Sequence, residues 1–520
     1  MGAKSLYRAV CSLMLFQVLV TAAPLSKPDY LQPYPTTPRN LTADEVMRDL
    51  GGQLSSGTTI FGPADAAYQN ATKRWNILEV PNIQVVVQVG HESDVAKIVQ
   101  YCNSKSIEFL AVNRGHSLSI YSMKKFKGIQ IDLKQLTGIT LQDHKKSAIL
   151  QGGTYGINVI STLWDLGYVT ATGAHECVGY TGLALGGGHG RYEGLYGLAS
   201  DNLIKLNTVL ANGSTIEVSQ TNHADLFWGM QGAGHNYGIV TSAEVKIYPR
   251  EIDTWHYHDY FWSGDKLEAV FERMNAFHGN GSTPVKMGVN YGSFTMNPRF
   301  SNTSATIWWS FVYAGSANEA EAFLQPFNEI EALADEMGDV PYPQIPTVQG
   351  TNIASGGCEP TRKAFAHSLL QTYNVTNERA VYDMYNANAA LYPTLAQEGG
   401  AVVLYEGYAT EAVETVPDES SAYPHRHEYH ILYFLANVAA NSTLLEPALK
   451  WANSIRDLWN YGRRPAHYVN YCNGDESLES IYGYEPWRLE RLRGLKTRYD
   501  PSNRFRYHIP VRPEDGGSTR

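Results

Sequence analysis

The sequence predicts an α+β protein of two folded domains, and three observations carry that expectation. Up to residue 250 a glycine-dense half alternates short apolar runs with amphipathic segments; a glycine-poor stretch of aromatic runs and long helical patterns follows; a distinct tail closes the chain. The second domain reads as an antiparallel sheet flanked by helices. With 520 residues, 43% hydrophobic and 12% aromatic, there is material for sizeable cores. The 41 basic and 51 acidic residues give a net charge of −10 with no basic block, which argues against nucleic acid as a partner. The only long apolar run lies at the N-terminus, so no membrane-spanning architecture is expected.

That run, Ala9 to Ala23, follows Lys4 and Arg8 and carries Val20 and Ala22 in the pattern of signal peptidase sites. Residues 1–22 are therefore read as a secretory signal, and the product as secreted. Acceptor sequons at Asn40, Asn70, Asn212, Asn280, Asn302, Asn374 and Asn441 agree with a glycoprotein. Cys102, Cys177, Cys358 and Cys472 remain after the signal, too few for a disulfide scaffold, and their pairing stays open.

Residues 23–74 form a lead-in, Pro-rich and polar to about Asn40. The first domain, 75–250, opens with a buried strand at Ile83–Val89. An amphipathic helix follows at Glu92–Ser104, with Val95, Ile98, Val99 and Cys102 on one face, so Cys102 belongs to the core. Strands are expected at Phe109–Val112, Ile129–Leu133 and Ala148–Gln151, and a helix at Ile157–Leu166. Leu203–Ala211 and Thr215–Val218 flank Asn212-Gly213, a strong hairpin signal, and Gly238–Tyr248 reads as a strand. In the second domain, 251–464, strands are expected at Val285–Phe294, Thr306–Tyr313, Ala401–Tyr408 and Tyr429–Val438. Helices are expected at Lys266–Phe277, Ala317–Ala334, Asn377–Leu391 and Leu444–Tyr461. The tail, 465–520, carries a helical stretch at Pro486–Arg498.

Two loops carry the chemistry. Val112-Asn113-Arg114-Gly115-His116-Ser117 follows a strand, and about sixty residues later comes Gly173 to Gly190, with Val178-Gly179, Gly182 and Gly186-Gly187-Gly188-His189-Gly190. Backbone without Cβ atoms can approach a ligand closely and aim N–H groups at phosphate oxygens. No Gly-Lys-Ser/Thr follows, so this is not a P-loop, and a nicotinamide fingerprint opening a helix is missing too. His425, His427 and His430 cluster with Glu428, a pattern read as pocket wall or surface in preference to a metal site; no metal is expected.

Taken together, the two loops resemble the PCMH-type FAD-binding domain of the vanillyl-alcohol oxidase superfamily. Leu226-Phe227-Trp228 through Thr241 looks like its second flavin-contacting stretch. Tyr468-Val469-Asn470-Tyr471, Gly474-Asp475-Glu476 and Tyr499 to Phe505 look like the C-terminal segment of berberine-bridge-enzyme-like oxidases, here a fungal-type secreted member. The resemblance implies FAD between the two domains, with the tail returning to the first. It implies that His116 bonds the flavin 8α-methyl, and that Asn113, Arg114, Gly115 and Ser117 wrap the pyrophosphate. Gly173, His175, Val178, Gly179, Gly182, Gly187, Gly188 and Gly190 would form the second loop, and Gly238, Ile239, Val240 and Asn470 further cofactor contacts. Many relatives place a second flavin-linking cysteine where this chain has His175, so a single attachment is expected.

The same resemblance makes Val178 the lining of an oxygen pocket and Tyr471 the base that takes a substrate proton as hydride leaves. A phenol with a pKa of about 10 then needs surroundings that favour phenolate, such as a neighbouring Arg or Lys. Sugar-oxidising relatives often carry Tyr at the position of Leu118. The implied activity is a secreted oxidoreductase using molecular oxygen on a C–H bond next to O or N of a small molecule, in secondary metabolism. The alternatives are an oligosaccharide oxidase, or an oxidative or non-redox cyclase with FAD as template.

Overall fold

The computed structural model describes residues 40–512 except 280–282 and 398–399. The expected signal segment, the first part of the lead-in, the Asn280 sequon and residues 513–520 lie outside the described residues.

Four strands build the first sheet: β1 (Thr59–Phe61), β2 (Asn82–Gln88), β3 (Glu108–Val112) and β4 (Lys127–Asp132), in the order β1-β2-β4-β3. β2 and β3 run parallel to β4, and the helix Ser93–Ser104 makes the crossover, burying Val95, Ile98, Val99 and Cys102 as its periodicity required. The lead-in is corrected in its second half. The helix Ala43–Leu50, capped by Thr42, packs Val46 and Leu50 into this core, and β1 pairs antiparallel with β2. Its polar surface residues masked an element whose order comes from tertiary pairing.

The second sheet is antiparallel, β5 (Ile139–Leu141), β6 (Ser147–Gln151), β8 (Leu203–Val209), β9 (Thr215–Ser219) and β10 (Ile239–Lys246), in the order β5-β6-β10-β8-β9; β7 (Tyr168–Val169) and β11 (Tyr248–Pro249) form a separate ribbon. The β8–β9 turn has Gly213 at φ +83°, the left-handed conformation that the Asn-Gly signal implied.

The second domain is a seven-stranded antiparallel sheet of β12 (Trp255–Trp262), β13 (Asn290–Asn297), β14 (Ser301–Ala314), β15 (Ala334–Val340), β16 (Arg362–Leu370), β17 (Ala401–Gly407) and β18 (His430–Val438). Its order is β15-β12-β14-β13-β17-β18-β16. The helices Leu267–Phe277, Ala317–Asn328, Val375–Leu391 and Leu445–Asn460 cover one face, burying Trp262, Trp309, Tyr405 and Trp451. The other face turns Tyr291, Phe365 and Tyr433 towards the first domain. Sequence patterning foresaw four of these strands and not β12, β15 or β16, and the first expected strand begins at Asn290, not Val285. The expected helix Ala317–Ala334 ends at Asn328, and Ala334 opens β15.

The tail returns to the first domain. The helix Pro486–Tyr499 packs Leu489, Leu492 and Leu495 in one core with Leu226, Phe227 and Met230, and a buried Lys496–Asp500 ion pair of 2.7 Å secures it. A disulfide, Cys177–Cys358, spans 181 residues and staples the glycine-rich loop to the second domain. Among the described residues no helix is long and apolar enough to cross a membrane.

Candidate active site

β3 ends at Val112, and the chain bends directly after it. Gly115 adopts φ +75° there, and a Cβ on it would lie 2.7 Å from the Lys73 carbonyl. This turn delivers His116 into a cavity of about 330 Å³ between the domains. Trp75 stacks on the His116 ring at 5.7 Å and 19°. Burial, then His175, Lys363 and Arg114, push the His116 pKa down to about 3, so the ring is neutral with a lone pair available. Asn113 donates to the Thr154 carbonyl at 2.9 Å, the Arg114 guanidinium lies 3.6 Å over the Tyr155 ring, and Ser117 Oγ meets His508 Nδ1 at 2.9 Å.

Across the cavity run Gly173, His175, Val178, Gly179 and Gly182, with Gly238, Ile239 and Val240 at the start of β10 and Asn470 from the tail. Burial and the Arg191 charge lower the His175 pKa to about 4. Asn470 donates to the Leu183 carbonyl at 3.0 Å and the Tyr468 hydroxyl at 2.7 Å, holding the tail against the loop. Gly187, Gly188 and Gly190 do not join this wall. Cβ atoms there would strike Tyr423, Ala199 and the Thr172 carbonyl, so these glycines permit tight packing behind the loop. Cys177, two residues past His175, is taken up by its disulfide.

Tyr471 faces the cavity, and its surroundings overturn the expected cationic neighbour. Its hydroxyl donates to Glu406 Oε1 at 3.0 Å, while Tyr408 donates to Glu406 Oε2 at 2.7 Å. Burial, and then the Glu406 carboxylate, push the Tyr471 pKa well up. Burial raises the Glu406 carboxyl to about 7, against the pull of the two phenols and of His189. Glu406 is thus the site residue that sequence reasoning missed. The available signal was a carboxylate in the middle of the apolar run Ala401–Tyr408, where an ionisable group is costly unless it has a task. His189, quoted in the glycine motif without a role, lies buried between Glu193 at 3.0 Å and the Tyr423 hydroxyl at 2.6 Å, its ring 4.9 Å from Tyr468.

The histidine cluster is not a cluster. His425 donates to the Ile481 carbonyl at 3.1 Å and His430 stacks on Tyr373 at 4.0 Å, both buried in packing away from the cavity wall. Only His427 is exposed. The turn at 426–427 precedes β18 and separates side chains that one continuous strand would have kept together.

The cavity fits FAD. Asn113 Oδ1, Arg114 Nε and His235 Nδ1 belong to residues lining it and are buried polar atoms without a protein partner, which a polar ligand would satisfy. A Cβ on Gly182 would meet no protein atom within 4 Å, leaving bare backbone towards that space. A ligand with a polar middle and flat apolar ends would run from Phe505 and Tyr507 to the Tyr291, Phe365 and Tyr433 wall.

A two-domain fold with such a cavity and an acid–phenol pair at one end defines an FAD-linked oxidoreductase. The chain belongs to the berberine-bridge-enzyme-like family of these enzymes. Residues 83–219 match the FAD binding domain family and residues 467–512 the family "Berberine and berberine like". FAD-linked oxidoreductase iacH of Pestalotiopsis fici is 52% identical over 504 residues, covering 96% of both chains. FAD-linked oxidoreductase anuG of Penicillium roqueforti is 48% identical over 503 residues, covering 96% of this chain and 98% of the relative. Among solved structures, glucooligosaccharide oxidase from Acremonium strictum superposes with a TM-score of 0.76 at 20% identity, covering 90% of this chain and 99% of that one. Physcomitrella patens BBE-like 1 gives 0.74 at 20%, covering 91% and 100%. At those identities the likeness is one of fold.

Proposed function

We propose that this protein is a secreted oxidase that removes hydride from a C–H bond next to O or N of an aromatic-bearing small molecule. The observation that carries the reading is Tyr471, which lines the same cavity as a neutral His116 and is hydrogen-bonded from behind to Glu406. FAD, when bound in this cavity, would supply a hydride acceptor that molecular oxygen can reoxidise, with peroxide as the by-product. Tyr471 Oη takes the proton from the substrate O–H or N–H while its own proton passes to Glu406 Oε1, so no free phenolate forms beside a carboxylate. His116 is the proposed single covalent anchor through its ring nitrogen, and Val178 the small side chain that leaves room for oxygen. Tyr291, Phe365 and Tyr433 form an aromatic wall suited to a flat secondary-metabolite intermediate.

Secretion is supported by the disulfide and by the six described sequon asparagines, all of them exposed. Glucooligosaccharide oxidase, by its name, acts on oligosaccharides; here the buried Leu118 and the aromatic wall favour the flat scaffold. The test is a peroxide-release screen over aromatic alcohols, amines and oligosaccharides, followed by anaerobic mixing with any hit. Bleaching of the flavin supports oxidation; product without bleaching supports a template role.

A further inference from the structure

Far from the cavity, β12 places His256 and His258 two residues apart on the helix-covered face of the large sheet, both buried. The helix Ala317–Asn328 lowers Glu321 between them. Glu321 Oε1 lies 3.1 Å from His256 Nε2 and 2.8 Å from His258 Nδ1. The far nitrogen of each ring meets a carboxylate of the edge strand β15, His256 Nδ1 with Asp339 at 2.9 Å and His258 Nε2 with Asp335 at 3.2 Å. Asn328 Nδ2 donates to Glu321 Oε2 at 2.9 Å and fixes the carboxylate plane. Among the described residues, the ion-pair partners of these three carboxylates are the two rings alone.

Proton arithmetic makes this arrangement unusual. Carboxylates only accept, so the four ring-nitrogen contacts to carboxylates are all hydrogen bonds only if both imidazoles carry two protons; the Tyr260 hydroxyl, 2.9 Å from His258 Nδ1, does not lift this condition, since it donates to Asn328 Oδ1 at 2.6 Å. With neutral rings, two of the four set lone pair against lone pair. One divalent cation removes the conflict. It takes the lone pairs of His256 Nε2 and His258 Nδ1 together with a Glu321 oxygen, and frees each remaining ring N–H to donate to Asp339 or Asp335. That is how imidazole ligands are usually oriented from behind. Tetrahedral zinc with bonds of about 2.0–2.1 Å sets its ligands about 3.3 Å apart, so the contacts of 3.1 and 2.8 Å need to open by only a few tenths of an ångström. His175 also lies near two cysteine sulfurs, but Cys177 and Cys358 are bonded to each other and offer no thiolates.

We infer that His256, His258 and Glu321 form a site for a divalent transition-metal ion of the zinc class, with Asp335 and Asp339 holding the rings and water completing the shell. The ion bolts the helix Ala317–Asn328 and β15 to β12. This site stands apart from the flavin chemistry: β14 and β13 lie between β12 and the Glu406 strand, and the site is on the opposite sheet face.

The test titrates chelator-treated, flavin-loaded protein with zinc chloride alone, reading stoichiometry by elemental analysis after gel filtration, affinity by calorimetry and stability by thermal melting. One zinc per chain and a raised melting temperature are expected for the wild type. His258→Asn and Glu321→Gln lose both, and Asp339→Asn keeps the stoichiometry with roughly 10–100-fold weaker binding. The flavin spectrum reports folding; where His258→Asn fails to fold, Glu321→Gln, half-exposed on the helix, decides. Wild-type protein that takes up no zinc, or Glu321→Gln that binds it with wild-type stoichiometry and affinity, overturns the assignment.

Discussion

Replacing Glu406 by Gln keeps the shape of the side chain and removes its capacity to receive a proton. Tyr471 then has no acceptor for its own proton as it takes one from the substrate, and anaerobic flavin reduction should slow by roughly 10²–10⁴-fold, the span of a lost general base. The pH profile is the sharper readout. The wild-type carboxyl, raised to about 7 by burial, must be ionised to act, so reduction should climb with pH and be half-maximal near 7. In the variant that limb should vanish. Stability should move the opposite way. Because the folded state holds this proton more tightly than the unfolded state does, the site costs nothing below the ordinary value of 4.5 and its cost grows as pH rises to about 7. Above that, the penalty is roughly 3 kcal/mol. Gln removes it but turns an amide NH₂ towards Tyr471 or Tyr408, which takes back about 1–2 kcal/mol. Glu406→Gln should therefore melt higher than wild type at pH 8 and no higher at pH 4. Stopped-flow reduction with a substrate from the peroxide screen decides the matter. A variant that reduces its flavin at the wild-type rate, or a flat wild-type profile from about pH 5.5 to 8.5, refutes the relay.

Acid-precipitated wild-type protein should stay yellow, and His116→Ala should release its flavin to the supernatant. Val178→Leu should slow reoxidation by air in a stopped-flow trace while leaving the reduction rate intact. Cys177→Ser should cost about 2–5 kcal/mol of stability for a closure this long, read as a lower melting temperature and faster proteolysis between the domains.

Much of the first domain was legible because its signals are local. Helix periodicity at Val95 to Cys102 and the Asn-Gly turn each specify their element without help from distant chain. The second domain was harder. β15 is acidic, contains Gly338 and lies exposed at the sheet edge, so only pairing with β12 makes it a strand. β16 opens with Arg362 and Lys363, and Lys363 is drawn inward by the Trp75 and Glu359 carbonyls, contacts some 288 and 4 residues away. The expected helix past Asn328 ran on because Ala332 and Leu333 kept the apolar spacing; Pro326 already stood inside it.

In the site, the glycine loops pointed to a cofactor, and the family resemblance singled out Tyr471, which lines the cavity. What the sequence withheld was the pairing across 65 residues that puts Glu406 beneath that phenol. It also could not separate the glycines that face the cavity from those packed behind it, since all share the absence of a side chain. The same limit hid the Cys177–Cys358 staple, whose partners meet only once the second sheet is built.

The most direct measurement is a crystal structure of the flavin-loaded protein. Continuous density from a His116 ring nitrogen to the flavin, with the ring system against Tyr471, is the result expected here. A flavin bound elsewhere, or a cavity wall with His116 unbonded and Tyr471 turned away from Glu406, would contradict it.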